Sequence, residues 1–189
     1  LRRCGEPREY RQARGEVQRI VGHRPETARA LESRAMADAT IAFTIRPARA
    51  EERAALVGLQ RRASLMWEED RDRLLAHPDV IDLPPGQIAE GCVFVCEAGD
   101  AVVGFGVVLP REDGAAELDG LFVDPAAWGR GIGRRLVEHG EAMARAAGAA
   151  VLNLVANRRA TGFYTACGFQ TLGEVQTPLN PAWAMTKPL

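Results

Sequence analysis

Gly129, Gly131 and Gly133, three glycines at alternate positions, are the residues whose type and spacing first suggest chemistry. They follow Leu121-Phe122-Val123, a run of strand formers that Asp124-Pro125 stops because proline cannot continue a ladder. Beyond them Ile132, Leu136, Gly140, Met143 and Ala147 recur at spacings of four, four, three and four, which is one face of a helix. The glycines therefore stand at a helix N-terminus. There the first N–H groups lack backbone partners and carry a partial positive charge, and glycine lets an anion come close. A diphosphate suits such a place. The spacing alone is weak, since 19 glycines in 189 residues give roughly two Gly-x-Gly matches by chance, and Gly104-Phe105-Gly106 reads as one.

Two familiar phosphate loops fail against these residues. A nucleoside-triphosphate loop needs Gly-Lys-Ser/Thr, yet Arg134 and Arg135 follow Gly133 and Lys187 is the only lysine of the chain. A dinucleotide fingerprint needs a third glycine where Arg134 or Leu136 stands, and an acid ending the next strand where Asn157 stands.

The elements that must position the loop can be read outward from it. At 189 residues, 47% apolar and a net charge of −1, the chain suits one soluble domain with a substantial core. No stretch is long and apolar enough to span a bilayer, and no apolar run follows Leu1-Arg2-Arg3-Cys4, so a cytoplasmic location is expected. Residues 1–35 hold nine arginines and five glutamates with one aromatic, Tyr10, and are read as a basic, disordered or non-native extension, with Met36 as the natural start of a 36–189 domain. Nothing in them interleaves aromatics as a nucleic-acid arm would. Cys4, Cys92, Cys96 and Cys167 contain no Cys-x-x-Cys pair and are expected to be buried thiols. His23, His77 and His139 lack ligand spacing, so no metal is expected.

Within the domain a strand is predicted over 41–45, then a helix from Glu51 with Ala55, Leu56, Leu59 and Ala63 on one side, a second helix over Trp67–Ala76, and a loop from His77 to Ile88. Cys92–Cys96 and Ala101–Leu109 flank Gly99-Asp100 as an antiparallel hairpin, and the polar turn Arg111–Gly114 continues it into the strand ending at Val123. Ala150–Ala156 reads as a buried strand closed by Asn157, and Gln170–Val175 and Ala182–Lys187 as the last two.

Two segments then resemble signatures of the GNAT acetyltransferases. One is Trp128-Gly129-Arg130-Gly131-Ile132-Gly133 after an apolar-Val-x-Pro strand end, with tryptophan where that family usually has glutamine or arginine. The other, far more specific, is Asn157-x-x-Ala160-x-x-Phe163-Tyr164-x-x-x-Gly168-Phe169. The likeness covers about Ile41 to Leu189 and implies the GNAT fold, an α+β class with a central mixed, mainly antiparallel sheet of six to seven strands and about four helices. It also implies acetyl-CoA as co-substrate, with no metal, and direct transfer of the acetyl group to a primary amine of a small molecule or a protein.

By the same resemblance, the backbone of Gly129, Arg130, Gly131, Ile132, Gly133 and Arg134 would grip the pyrophosphate, and the open edge of Leu121, Phe122 and Val123 would pair with the pantetheine arm. A bulge is expected at Gly120, and an N–H near Leu121 or Phe122 would polarise the thioester carbonyl. Asn157 would bond the arm, although ending a strand is reason enough for an asparagine. Tyr164 would protonate the departing thiolate; Glu117 would take the amine proton, with Asp119 or a water chain as alternatives. Glu68, Glu69, Asp70 and Asp72 either complete a helix dipole or attract a cationic amine. No nucleic acid or membrane partner is implied, and a homodimer is compatible. A competing class is an inactive acyl-CoA-binding regulatory or structural domain, which Trp128 favours and Tyr164 opposes.

Overall fold

The computed structural model describes residues 43–177 and 180–189, and of residues 69, 70 and 78 the backbone only. The expectation for residues 1–35 lies outside the described residues. In chain order the elements are β1 (Phe43–Pro47), α1 (Arg53–Ser64), α2 (Glu68–Ala76), α3 (Pro85–Ala89), β2 (Val93–Ala98), β3 (Ala101–Pro110), β4 (Ala115–Val123), α4 (Ile132–Ala146), β5 (Val151–Asn157), α5 (Thr161–Ala166), β6 (Gln170–Val175) and β7 (Ala182–Pro188), with 3-10 turns at Ala50–Glu52, Pro78–Val80 and Pro125–Ala127. The α+β class, the hairpin and the meander are as expected. The loop expected from His77 to Ile88 instead holds a 3-10 turn and α3, so that five α-helices stand among the described residues. Prolines inside a helix break it, but a proline at the first helical position loses no hydrogen bond, and Pro85 opens α3 in that way.

All seven strands form one sheet in the order β1-β2-β3-β4-β5-β7-β6. Every neighbouring pair is antiparallel except β4 and β5, which are parallel and meet only at Ala115–Val151, Ala116–Leu152 and Glu117–Asn153. Past that point β4 stays paired with β3 as far as Val123 while β5 stays paired with β7 as far as Asn157. The sheet thus splits along its middle. A bulge explains how: Val107 lies opposite Gly120 and Val108 opposite Leu118, so Asp119 is an extra residue on β4. An extra residue bends and over-twists its strand, which turns the end of β4 away from β5.

Helices cover both faces and so hold the split open. Below, α4 packs Ile132, Leu136, Val137 and Ala144 against Leu118, Leu121, Val123, Leu152 and Leu154; of the expected face Ile132, Leu136 and Gly140 are buried, Met143 is half-buried and Ala147 is exposed, because the buried stripe turns to Val137 and Ala144 instead. Above, Leu56, Leu59 and Ala63 of α1 pack against Val95, Phe105, Val107 and Phe122. The Gly104-Phe105-Gly106 pair belongs to this packing rather than to a ligand, since a Cβ on Gly106 would run into the Phe94 ring and one on Gly104 would stand 2.9 Å from the Phe122 carbonyl. Cys96 and Cys167 are free and buried. Cys92 is also buried.

Candidate active site

The site begins with the edge of β4 that the split exposes. The Asp124 N–H donates to the Val103 carbonyl across the β3–β4 pair at 2.8 Å. Along an antiparallel pair such bonds recur at every second residue, so the backbone groups of Phe122 also point to β3, and those of Leu121 and Val123 point the other way, into the gap that β5 has left. Of the two N–H groups expected near the thioester, only Leu121 therefore faces the gap; that of Phe122 is turned to β3. The side chains of Leu121, Phe122 and Val123 are all buried, so this edge can offer a ligand nothing but backbone.

At the end of that edge stands the glycine loop. Gly129 and Gly131 have φ of 78° and 77°, and a Cβ at either would meet open space, so backbone conformation and not room is what calls for glycine. Gly131 is the N-cap of α4 and supplies no side-chain cap, and the first turn holds no acid. The first helical bond back to the loop runs from the Arg135 N–H to the Gly131 carbonyl at 3.2 Å, so the N–H groups of Ile132, Gly133 and Arg134 precede it. Uncapped donors at the positive end of a fifteen-residue helix, with Arg134 and Arg135 in the first turn, make a strongly anion-seeking surface. Arg134 itself reaches across to the Ala166 carbonyl at 3.0 Å, tying α4 to the end of α5, and Arg130 is exposed.

Tyr164 lies on α5 under the same edge, in one core cluster with Leu121, Val123, Ala156 and Ala160. Only 1% of it is exposed, and its ring meets Phe163 and Phe169 edge-on at 5.1 and 5.7 Å. Burial, with a smaller push from Cys167, drives the phenol well above the usual tyrosine range, so it keeps its proton. Asn157 ends β5, and its Oδ1 accepts the Ala160 N–H at 2.9 Å while its carbonyl accepts the same group at 3.1 Å. The side-chain oxygen therefore shapes the turn into α5, and the amide nitrogen is the end that can meet a ligand.

Glu117 stands where the β4–β5 pairing ends, opposite Leu109 and beside Asn153. Its neighbours Ala116 and Leu118 enter the core under α4, so by the strand's alternation its side chain projects on the α1 face, the side opposite Tyr164. There it is ion-paired to Arg111. Asp119 is the bulged residue itself. Of the four acids after Trp67, Glu68 and Asp72 are exposed, and the side chains of Glu69 and Asp70 lie outside what is described.

Sequence reasoning missed Trp67. It precedes α2 as its N-cap and stacks on Trp128 with centroids 5.8 Å apart and planes 15° apart, while the Arg159 guanidinium carbon lies 5.1 Å from its centroid. Trp128, in turn, donates its indole N–H to the Val123 carbonyl at 2.8 Å. Asp124 braces the same corner, accepting the Ala126 N–H at 3.1 Å and pairing with Arg62 of α1 at 2.7 Å. Tryptophan at position 128 therefore spends its polar group on a carbonyl of the β4 edge.

Comparison with known proteins bears on this geometry. The model of the Acetyltransferase (GNAT) family matches residues 49–169, a span that takes in the β4 edge, the glycine loop, Asn157 and Tyr164. The peptidyl-lysine N-acetyltransferase YjaB of Salmonella typhimurium is 40% identical over 74 residues, 39% of this chain and 46% of that protein, so the match spans about half the relative's length. Among solved structures, the PaiA N-acetyltransferase of Thermoplasma acidophilum in complex with coenzyme A superimposes with a TM-score of 0.65 at 18% identity, over 78% of this chain and 99% of that one. The structure of yncA from Salmonella typhimurium with its cofactor acetyl-CoA gives 0.59 at 22%, over 78% and 94%. These two likenesses concern the fold.

Proposed function

The chain belongs to the GNAT family of acetyltransferases, and on that premise we propose that it transfers the acetyl group of acetyl-CoA directly to a primary amine. The observation that carries this reading is the split between β4 and β5: an unpaired strand edge running straight to an uncapped helix N-terminus fits an extended amide chain that ends in a diphosphate. Leu121 and Val123 pair with the pantetheine arm, and the N–H groups of Gly129 to Arg134 hold the pyrophosphate. Asn157 meets the arm from the β5 side through its amide nitrogen.

In the reaction the amine nitrogen attacks the thioester carbon. The Leu121 N–H holds the charge that develops on the carbonyl oxygen, the C–S bond breaks, and Tyr164 gives its proton to the departing thiolate. A proton leaves the amine to Glu117 or along water. The pairing of Glu117 with Arg111 means that it must share or release that partner to act as base.

The acceptor is a primary amine of a protein or small molecule, and a lysine ε-amine is the first candidate because the partial relative YjaB is described as a peptidyl-lysine N-acetyltransferase. A cytoplasmic workplace and a homodimer belong to the same reading; among the described residues no helix is long and apolar enough to cross a membrane. Incubating the chain with acetyl-CoA and a panel of lysine peptides, polyamines and aminoglycosides, and following free thiol, tests the proposal. Amine-dependent thiol release supports it. Tight binding of acetyl-CoA with no release for any amine would overturn it in favour of a binding domain.

A further inference from the structure

The fork between β4 and β5 carries more polar groups than Glu117. In the last parallel pair before the strands part, Glu117 faces Asn153, and across β5 from it Asn153 faces Thr186 of β7. Residues facing each other on paired strands project on one side of the sheet. Leu152, Leu154 and Met185 enter the core under the sheet with α4, and Lys187 reaches down to Glu141 of that helix, so Asn153 and Thr186 project upward beside Glu117. On either side of this row the upward residues of β5 and β7 are Val151, Val155, Ala184 and Pro188, which have no polar side-chain atoms. Among the described residues, the core cluster above the sheet takes in none of β5, β6 or β7. Glu117, Asn153 and Thr186 are each half-buried, so the row is open to a molecule arriving from above.

Hydrogen bonds orient the row. The Thr186 hydroxyl donates to Asn153 Oδ1 at 2.7 Å, and Arg111 donates to Glu117 Oε2. An amide carries its NH2 at the corner opposite its oxygen, so with Oδ1 fixed toward β7 the Asn153 NH2 is turned to the β4 side, where Glu117 keeps Oε1 for another donor. Glu117 and Asn153 do not hydrogen-bond to each other. Strands about 4.8 Å apart leave, between two polar tips that do not touch, room for one small bridging group. We propose that Asn153, set by Thr186, is a positioning residue of the acceptor side that holds a water between its NH2 and Glu117 Oε1, and that the proton of the amine leaves through this water. The water accepts from the NH2 and donates to Oε1. Its remaining lone pair takes a proton from the arriving ammonium as its own proton passes to the carboxylate. One N–H bond breaks, one O–H bond forms on Glu117, and the water is unchanged. Arg111 stays on Oε2 throughout. The inference rests on the transferase reading above and supplies the proton path that the reading divides between Glu117 and water.

Asn153→Leu removes the amide, Thr186→Val removes the hydroxyl that sets it, and Thr186→Ser keeps that hydroxyl. With an alkylamine acceptor, kcat/KM for the amine should fall about tenfold in Asn153→Leu and about threefold in Thr186→Val, and return to the parent's in Thr186→Ser. The Kd for CoA should stay within about twofold in all three. Because Asn153 acts through Glu117, Asn153→Leu should add less than about twofold to the loss that Glu117→Gln causes. A fluorinated analogue of the same acceptor, already neutral at neutral pH, has no extra proton to lose before attack. The parent and Asn153→Leu should turn it over alike, whereas a merely structural asparagine would slow both acceptors equally. Unchanged kcat/KM in Asn153→Leu, an equal loss with both amines, or losses that multiply in the double variant would overturn the assignment, as would a Glu117→Gln that turns over like the parent. Should Asn153→Leu not fold, the contrast of Thr186→Val with Thr186→Ser decides, and equal rates for those two overturn it. If the parent releases no thiol with any amine, the transferase reading falls first, so the two failures are distinguishable.

Discussion

At the scale of one residue, the proposed reaction turns on Tyr164 as the proton donor. A phenol pushed above its ordinary range is a reluctant acid, but it is also one that never arrives deprotonated, and at 1% exposure it shares its proton with little bulk water. Proton donation then depends on the thiolate being delivered within hydrogen-bond reach, where a sulfur of ordinary pKa about 8.5 has gained charge and lost solvent. Tyr164→Phe removes the donor and keeps the edge-on ring contacts with Phe163 and Phe169. Turnover should fall by about 10²-fold or more while CoA affinity stays within about twofold, read by steady-state kinetics and calorimetry. A loss under about threefold, with chemistry rate-limiting, would assign the proton to water.

At the scale of elements, the proposed cofactor site is the join of β4, the glycine loop and α4. Gly131 holds a left-handed conformation with open space beside it, so Gly131→Ala should cost about 1 kcal/mol of stability through backbone strain alone and leave CoA binding measurable. Gly131→Asp adds the same strain and a carboxylate at the anion site, and should abolish CoA binding while the chain stays folded. Circular dichroism checks the fold and calorimetry the affinity; equal binding by the alanine and aspartate variants would mean that the loop does not hold the diphosphate. The edge at β1 is fastened differently. Arg46 reaches both Glu52, in the turn before α1, and Glu97 of β2. Its hydrogen bond to Glu52, outweighing the opposing effect of burial, brings that carboxyl down to about 2. A depressed carboxyl stabilises the fold above its unfolded pKa, about 4.3, and that contribution drains away as pH falls toward 2. The melting temperature of the parent should therefore exceed that of Glu52→Gln at pH 6, with a gap that narrows below about pH 4 and closes only below about pH 2; a constant gap from pH 6 to about pH 2 would refute the linkage.

At the scale of the whole molecule, two half-sheets that part in the middle must be held at a fixed angle, and the helices beneath do this. Lys187 on β7 donates to Glu141 of α4 at 2.5 Å and to the Cys167 carbonyl just past α5 at 2.7 Å, so one side chain ties the β5–β7–β6 half to the helix that also carries the loop. Glu141 is 6% exposed, and its other ionic contact, Arg145, lies at 3.5 Å. Lys187→Met should destabilise the chain by about 2 kcal/mol, because Glu141 is buried and loses its nearer partner while the lysine itself is part-exposed. Chemical denaturation measures this, and a change below about 1 kcal/mol would mean that Arg145 takes over. A loss of CoA affinity in the same variant would indicate that the tie sets the width of the slot as well.

What could be read from the amino acids alone was whatever depends on near neighbours. Alternating glycines after a proline-stopped strand, the first half of the apolar face, Ile132, Leu136 and Gly140, the hairpin at Gly99-Asp100 and the Asn157–Phe169 signature all stand in the structure close to where spacing placed them. Their physics is local: left-handed φ at glycine, a missing N–H at proline, and burial at helical or strand period. The structure alone settled what depends on partners distant in sequence. That β4 and β5 meet at three residue pairs and then part follows from an extra residue in the pairing of β3 with β4, and no one strand carries that count in its own residues. The direction of the Leu121 N–H follows from that same register. Trp67 and Trp128 are sixty-one positions apart and meet only because α1 and α2 are laid over the end of β4, with Arg62 pinned to Asp124. That the Trp67 indole N–H is buried without a partner is a property of that packed arrangement, since in an open chain water would satisfy it.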